Sequence, residues 1–332
     1  MPENERILIA PLNWGLGHAT RCIPLIRQEL IKGNKVVIAS DGEALTLLKK
    51  EFPALDFEEL PGYGIRYAKK SFFMPFVLGS QIPKIWKTIR QEKQKTDKII
   101  TKYRITKIMS DNRYGVRHQN IKSVFITHQL RIFSGILTPL STRIQKKLLS
   151  KFDEIWVPDF AGKPNLSGKL SHEITYKKPV KYIGPLSRLK KKKLPVERDI
   201  LVLLSGPEPQ RTLLEKKLLN ILHTTGYSVL LVQGKPGKKQ EYRNKGKIKI
   251  VNFLLSDELE GILQSSGFII SRPGYTSVMD FYKLDIRPIY IPTPGQTEQE
   301  YLSKHLHKTY GINFIPQKKL DKKLIIKVKE IL

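Results

Sequence analysis

Residues 6–40 read RILIAPLNWGLGHATRCIPLIRQELIKGNKVVIAS, and their periodicity changes twice. Residues 6–10 form an apolar run short enough for a buried strand. Residues 20–32 carry apolar positions at helical spacing and stop at Gly33, and residues 35–40 are a second apolar run rich in β-branched side chains. This is a βαβ unit, whose parallel strands require a crossover helix. The alternation continues, with strands expected at 106–110, 123–127, 154–157 and 180–183 and helices over 82–102 and 142–151. It restarts after residue 198, with strands at 199–204, 228–232, 248–251, 268–271 and 287–291 and helices over 210–223, 257–265, 276–283 and 298–308. An α/β class with two doubly wound Rossmann-like domains follows. Residues 1–186 are expected to form the first domain, 187–197 a basic solvated linker around the lysine run 190–193, and 198–316 the second. Residues 317–332 read as a helix that packs back on the first domain. At 332 residues the chain exceeds the usual size of a single core, which agrees with two domains.

With 40% hydrophobic and 27% charged residues, the composition excludes a disordered or collagen-like chain. The polar start and the lack of an apolar run of about 18–20 residues lead to a cytoplasmic expectation, with at most peripheral contact at the inner face of the membrane. The lone Cys22 rules out a disulfide framework or a cysteine cluster within one chain, and neither metal nor cofactor is expected. The net charge of +29 sets up a field that attracts nucleoside diphosphates, polyanions and anionic bilayers. A basic nucleic-acid-binding protein is therefore an alternative class. The sequence carries no zinc, helix-turn-helix or ribonucleoprotein motif, so no nucleic-acid partner is expected.

In doubly wound folds ligands bind beyond the carboxyl ends of the strands. Residues 10–21 leave the first strand there, and Gly15 and Gly17 let the backbone come close to a ligand. This is not a dinucleotide fingerprint, because Thr20 stands where the third glycine belongs. His18 falls at the helix start, where the dipole favours a neutral imidazole able to accept a proton. Asp111 and His128 end two other strands on the same edge and are expected to converge with it. The stretch 72–78, Phe-Phe-Met-Pro-Phe-Val-Leu, with Lys84, Lys87 and Arg90 after it, suits contact with an anionic membrane. In the second half Gly206 lies in a strand-to-helix turn. Gly274, Thr276 and Ser277 open a helix suited to a diphosphate, with Asp280 a turn further on for ribose hydroxyls. Gln296 and Gln299 offer donors and acceptors to a sugar.

The pattern Arg-x-Gly-x-x-Ser-x-x-acid from Arg272 to Asp280, followed by Pro-x-Pro-Gly-Gln-x-x-Gln from Pro292 to Gln299, resembles the donor half of glycosyltransferase family 28. That family includes the lipid II-forming N-acetylglucosaminyltransferase. The resemblance implies two Rossmann-like domains facing a central cleft, the GT-B architecture. It further implies inverting, metal-independent transfer from a nucleoside diphosphate sugar, uridine-linked, to a glycan or lipid-linked acceptor in cell-envelope glycan synthesis. By that likeness Asp280 holds the ribose and Gln299 with Gln296 the donor sugar, while backbone at Asn252 and Phe253 reads the base. Gly206 borders the diphosphate, Arg272 stabilises it as it departs, and the loop of Gly15, Gly17 and His18 faces it. His18 or Asp111 is the base, with His128 beside the substrate. The sequence departs from the family at Asp280, where Glu is usual, at Pro273, and at Pro207, Glu208 and Pro209 beside Gly206. The run Gly-His-x-x-Arg-Cys from Gly17 to Cys22 is also similar to the nucleotide-sugar hydrolase of pseudaminic acid synthesis, so hydrolysis stands as an alternative to transfer.

Overall fold

A computed structural model describes residues 4–64, 81–206, 208–235, 237, 239–320 and 324, apart from the Ile136 side chain. The aromatic stretch 72–78 and most of the expected C-terminal helix lie outside these residues. The chain divides into two compact units, Met1–Arg188 and Leu189–Leu332.

Unit 1 alternates strands and helices. Its elements are β1 (Arg6–Pro11), α1 (Gly17–Ile31), β2 (Lys35–Ser40), α2 (Gly42–Glu51), β3 (Asp56–Glu59), α3 (Ile82–Tyr103), β4 (Lys107–Asp111), β5 (Lys122–Ile126), α4 (Thr138–Leu149), β6 (Glu154–Val157) and β7 (Val180–Tyr182). The strands form one seven-stranded sheet in the order β3-β2-β1-β4-β5-β6-β7, with every pair parallel. Central strands covered on both faces must be apolar throughout, and Ile7, Leu8, Ile9 and Ala10 of β1 are all completely buried. Leu8 and Ala10 share a core with Ile99 of α3 and Ile108 of β4. Burying each such large aliphatic side chain contributes about 1.5–3 kcal/mol. The chain order reverses between β1 and β4, where Pro11 registers with Asp111 and the Leu12 N–H donates to the Asp111 carbonyl at 3.0 Å. That reversal opens the crevice of a doubly wound sheet, and it lies beside His18 and Asp111.

Unit 2 repeats the plan with β8 (Arg198–Leu203), α5 (Gln210–Leu222), β9 (Val229–Val232), β10 (Tyr242–Lys245), β11 (Ile248–Val251), α6 (Ser256–Gln264), β12 (Ser266–Ser271), α7 (Tyr275–Leu284), β13 (Ile289–Tyr290) and α8 (Thr297–Tyr310). The strand order is β10-β11-β9-β8-β12-β13, so the reversal falls between β8 and β12. All pairs are parallel except β10 with β11. The antiparallel β10 is exposed along its whole length and polar, which blunts that edge. Its pattern lacks the apolar alternation that would announce a strand.

Several boundaries differ from expectation. Helix α4 begins four residues earlier than the apolar spacing suggests, because its first turn exposes Leu140 instead of burying it. Helix α2 and strand β3 were not expected, since 42–59 is short and carries charges throughout. The lysine run 190–193 is exposed along its length and is also held by hydrogen bonds. The backbone N–H of Lys190 donates to Glu260, that of Lys192 to Gln264, and the Lys192 ammonium pairs with Glu260 at 2.6 Å. Carboxylate and amide acceptors on α6 strap the run to unit 2, a pairing between distant residues that composition cannot reveal.

Candidate functional site

In unit 1 the three residues expected to converge do so, through a fourth. Asp111 ends β4 with no exposed surface, and its Oδ1 lies 2.7 Å from Nδ1 of His18 in the first turn of α1. Arg21, one helical turn beyond His18 and 2% exposed, forks onto the same carboxylate. Its Nε donates to Oδ2 at 2.5 Å and its second terminal nitrogen to Oδ1. The other terminal nitrogen lies 3.0 Å from Nδ1 of His128, which follows β5. The Cys22 thiol donates to Oδ2 at 3.5 Å.

Burial works against the charge of Asp111, but Arg21 and His18 outweigh it and hold the carboxyl well below the usual carboxylate range. Burial first, and the charge of Arg21 next, lower the His18 pKa against the opposing pull of Asp111. The direction agrees with the sequence expectation, but the cause is burial and a neighbouring cation. The Cys22 thiol is pushed well above its ordinary value by burial and then by Asp111, so it stays protonated. Of this cluster His18 keeps the most exposure, at 14%, and its Nε2 bonds nothing among the described residues. A partly accessible neutral imidazole backed by a buried carboxylate is the arrangement of a general base. Gly15, at φ +78°, and Gly17 shape the turn that delivers it.

A second buried cation braces this edge. Arg113 is fully buried; it pairs with Glu92 of α3 at 2.8 Å and with Asp41 after β2, and donates to the Pro11 and Pro61 carbonyls. It thereby ties the ends of β1, β2 and β3 to α3. Gly115 allows the close approach, since a Cβ there would collide with the Ile89 carbonyl and the Glu92 side chain. Asp41 is thus an ion-pair partner and an acceptor for Asn13. Sequence reasoning missed Arg21 and Arg113. Their only signal was an arginine three residues after a candidate histidine and another two residues after a candidate aspartate.

In unit 2 the loops after β8, β12 and β13 lie at the ends of adjacent strands, Leu203 registering with Ser271 and Ser271 with Tyr290. Gly206 has φ +97°, a backbone that favours glycine, and a Cβ there would lie 4.0 Å from the Thr293 hydroxyl. That hydroxyl is buried without a hydrogen-bond partner. Gly274 is the extended N-cap of α7, Thr276 and Ser277 are half-buried in its first turn, and Asp280 is buried one turn further on. Burial, and then the Asp280 charge, raise the Tyr290 phenol. Gln296 is the half-exposed N-cap of α8, and the Gln299 side-chain oxygen accepts the Thr293 N–H at 2.9 Å. Phe253 is buried; its N–H donates to the Asn252 side chain and its carbonyl accepts from Gln240.

Arg272 departs from expectation. Its guanidinium is fully buried and donates to the carbonyls of Ile291 at 2.8 Å and Gln210 at 3.2 Å and to the Gln317 side chain at 2.7 Å. Burial brings its pKa down to about 9, which still leaves it charged at neutral pH. It braces the loops after β12 and β13 from within the unit, its Nε buried without a hydrogen-bond partner. Among the described residues no group of three His, Cys, Asp or Glu side chains is arranged to hold a metal ion, and no helix is long and apolar enough to cross a membrane.

Residues 207–332 match the glycosyltransferase family 28 C-terminal domain. Over 330 residues the chain is 22% identical to an uncharacterized glycosyltransferase of Methanosarcina acetivorans, covering 89% of this chain and 81% of that protein. The glycotransferase of kitacinnamycin superposes with a TM-score of 0.68 at 13% identity, covering 100% of this chain and 91% of the other. MurG of Acinetobacter baumannii superposes with a TM-score of 0.56 at 12% identity, covering 98% and 90%. The solved structures show the fold, and the matches in sequence carry the activity without favouring the hydrolase or nucleic-acid readings. The chain is a glycosyltransferase of the GT-B fold, and its residues 207–332 are similar to family 28.

Proposed function

We propose that the protein transfers a sugar from a nucleoside diphosphate sugar, uridine-linked as the resemblance implies, to a hydroxyl of a glycan or lipid-linked acceptor. Unit 2 binds the donor and unit 1 supplies the base. The observation that carries the reading is the meeting of glycine-bearing loops at the strand-order reversal of unit 2. Gly206 lies beside the buried, unpartnered Thr293 hydroxyl there, and β12, which registers with β8 at this reversal, leads to Gly274 at the start of α7. The positive end of α7 suits a diphosphate. Asp280 suits ribose hydroxyls, and Gln299, whose oxygen is engaged by Thr293, keeps its amide nitrogen for the sugar, with Gln296 beside it. Arg272 serves as a brace for these loops rather than as a phosphate ligand.

In this mechanism the acceptor hydroxyl gives its proton to Nε2 of His18 as its oxygen bonds the anomeric carbon from the face opposite the leaving group. The bond from that carbon to the diphosphate oxygen breaks with inversion. Asp111 holds the imidazole and stabilises the imidazolium that forms. The diphosphate leaves with the electron pair, its charge met by helix-end amides, so full turnover in chelator is expected. His18→Ala should cut turnover about 10²–10⁴-fold and leave nucleotide affinity within about twofold, measured by transfer assay and calorimetry. Unchanged turnover would remove His18 from the mechanism.

The aromatic stretch 72–78 of the membrane-contact expectation lies outside the described residues and its cations Lys84, Lys87 and Arg90 are exposed on α3, but α4 offers another surface for it. Leu137, Leu140 and Ile144 are exposed along one stripe beside Arg143, Lys146 and Lys147. An apolar stripe flanked by cations suits peripheral contact with anionic lipid at the inner membrane face. Leu140→Glu with Ile144→Glu should abolish sedimentation with phosphatidylglycerol vesicles. Retained binding would exclude this helix.

A further inference from the structure

We propose that Arg21 is a positioning residue that sets the two histidines of this site in opposite tautomers, His18 with its proton on Nδ1 and His128 with its proton on Nε2. The inference rests on the reading of His18 as the base, and it goes beyond that reading by naming what makes His18 a base.

The argument is one of donors and acceptors. A guanidinium can only donate, and an ionised carboxylate can only accept. Nδ1 of His128 lies 3.0 Å from a terminal nitrogen of Arg21, so that ring nitrogen accepts and the neutral ring carries its proton on Nε2. Nδ1 of His18 faces two groups, Oδ1 of Asp111 at 2.7 Å and the second terminal nitrogen of Arg21 at 2.8 Å. That nitrogen already donates to Oδ1, and the Arg21 Nε donates to Oδ2. The second proton of that terminal nitrogen competes for Nδ1, but an unprotonated Nδ1 would set its lone pair against the anionic Oδ1 at the shorter of the two distances, so Nδ1 of His18 donates to Oδ1 and Nε2 becomes the acceptor. Both ion-pair partners are buried, at 2% and 0% exposure, so water offers neither an alternative arrangement.

The same fork tunes the base. In a simple carboxylate–imidazole pair the full negative charge falls on the ring and raises its proton affinity. Here Arg21 neutralises most of that charge and adds its own cation next to the ring, in line with the lowered His18 pKa. The titratable or charged groups facing His18 are Asp111 from β4, Arg21 and Cys22 from α1, and His128 after β5. Cys22 stays protonated and adds no charge. Arg21 thus keeps His18 unprotonated and ready at neutral pH, at the cost of a weaker pull on the proton.

The test reads ring nitrogens directly by long-range ¹H–¹⁵N spectra of the full-length protein. The chain has seven histidines, and the signals of His18 and His128 are assigned by their loss in His18→Gln and His128→Gln. In the wild type the expected result is the Nδ1–H form for His18 and the Nε2–H form for His128. In Arg21→Met the His18 proton affinity should rise about tenfold or more, a shift of about one pH unit. The acid limb of kcat/KM should move upward by the same amount, with activity recovering at higher pH and nucleotide affinity unchanged. Arg21→Lys keeps the charge but loses the fork, so it should restore most of the pH profile while blurring the His128 tautomer. A wild-type His18 in the Nε2–H form, an unchanged His18 titration in Arg21→Met, or an unchanged His128 tautomer in Arg21→Lys would overturn the proposal. If Arg21→Met does not fold, the wild-type tautomers and Arg21→Lys still decide it. Normal turnover in His18→Gln sinks the base assignment and leaves the tautomer result standing, so the two failures are distinguishable.

Discussion

Removing the charges of Arg21 and Asp111 one at a time and then together tests whether the centre of unit 1 is held by a buried ion pair. Arg21→Met leaves a carboxylate with no exposed surface and no cation, and Asp111→Leu leaves a guanidinium at 2% exposure with no anion. Breaking a buried pair from one side costs about 3–5 kcal/mol. For a unit of this size that lowers the melting temperature by about 6–20 °C. The double variant buries no orphan charge and leaves the Nδ1 atoms of His18 and His128 without their partners, at about 1–3 kcal/mol per buried group. His18 is partly wet, so the double loss should be about 2–4 kcal/mol, against about 6–10 for the summed singles. Urea unfolding followed by tryptophan fluorescence suits the measurement, because the three tryptophans, Trp14, Trp86 and Trp156, all belong to unit 1 and report on it alone. Single losses that add to the double within about 0.5 kcal/mol would refute the reasoning, since independent sites behave that way.

The lowered His18 pKa makes stability depend on pH with a definite sign. The unfolded histidine takes up a proton near its ordinary value while the folded one refuses it, so unit 1 should lose stability as pH falls below about 6.5. His18→Gln should flatten that slope, and a slope unchanged by the substitution would place its origin elsewhere. The depressed Asp111 adds its own loss only in strong acid, below the usual carboxylate range. Arg272→Met strips donors from the Ile291, Gln210 and Gln317 oxygens and should cost about 2–4 kcal/mol in calorimetric unfolding. Nucleotide affinity well below the melting temperature should change less than about threefold; a loss of tenfold or more would make Arg272 a phosphate ligand after all.

The local periodicities of the sequence determined the class of the fold. Apolar runs such as 7–10 and 200–203 read as buried strands, and the helical stretches between them supply the parallel crossovers. Glycines and a histidine at strand ends were legible as site candidates because a doubly wound sheet presents its loops there. Which of these residues touch was decided by tertiary structure alone. His18 and Asp111 are 93 residues apart, and they meet because β1 and β4 are neighbours at the point where strand order reverses. The buried arginines were the least legible feature. In sequence an arginine is ordinarily a surface residue, and only the fold shows that Arg21 and Arg113 close on buried carboxylates while Arg272 closes on backbone carbonyls. The same logic separates the lysine run 190–193 from a tether, since its anchors on α6 lie some 70 residues away and no local pattern encodes them. Periodicity is a property of neighbours in the chain, whereas charge pairing is a property of neighbours in space. The sequence therefore determined the sheets and helices, and the tertiary structure decided the chemistry of the groups brought together at their ends.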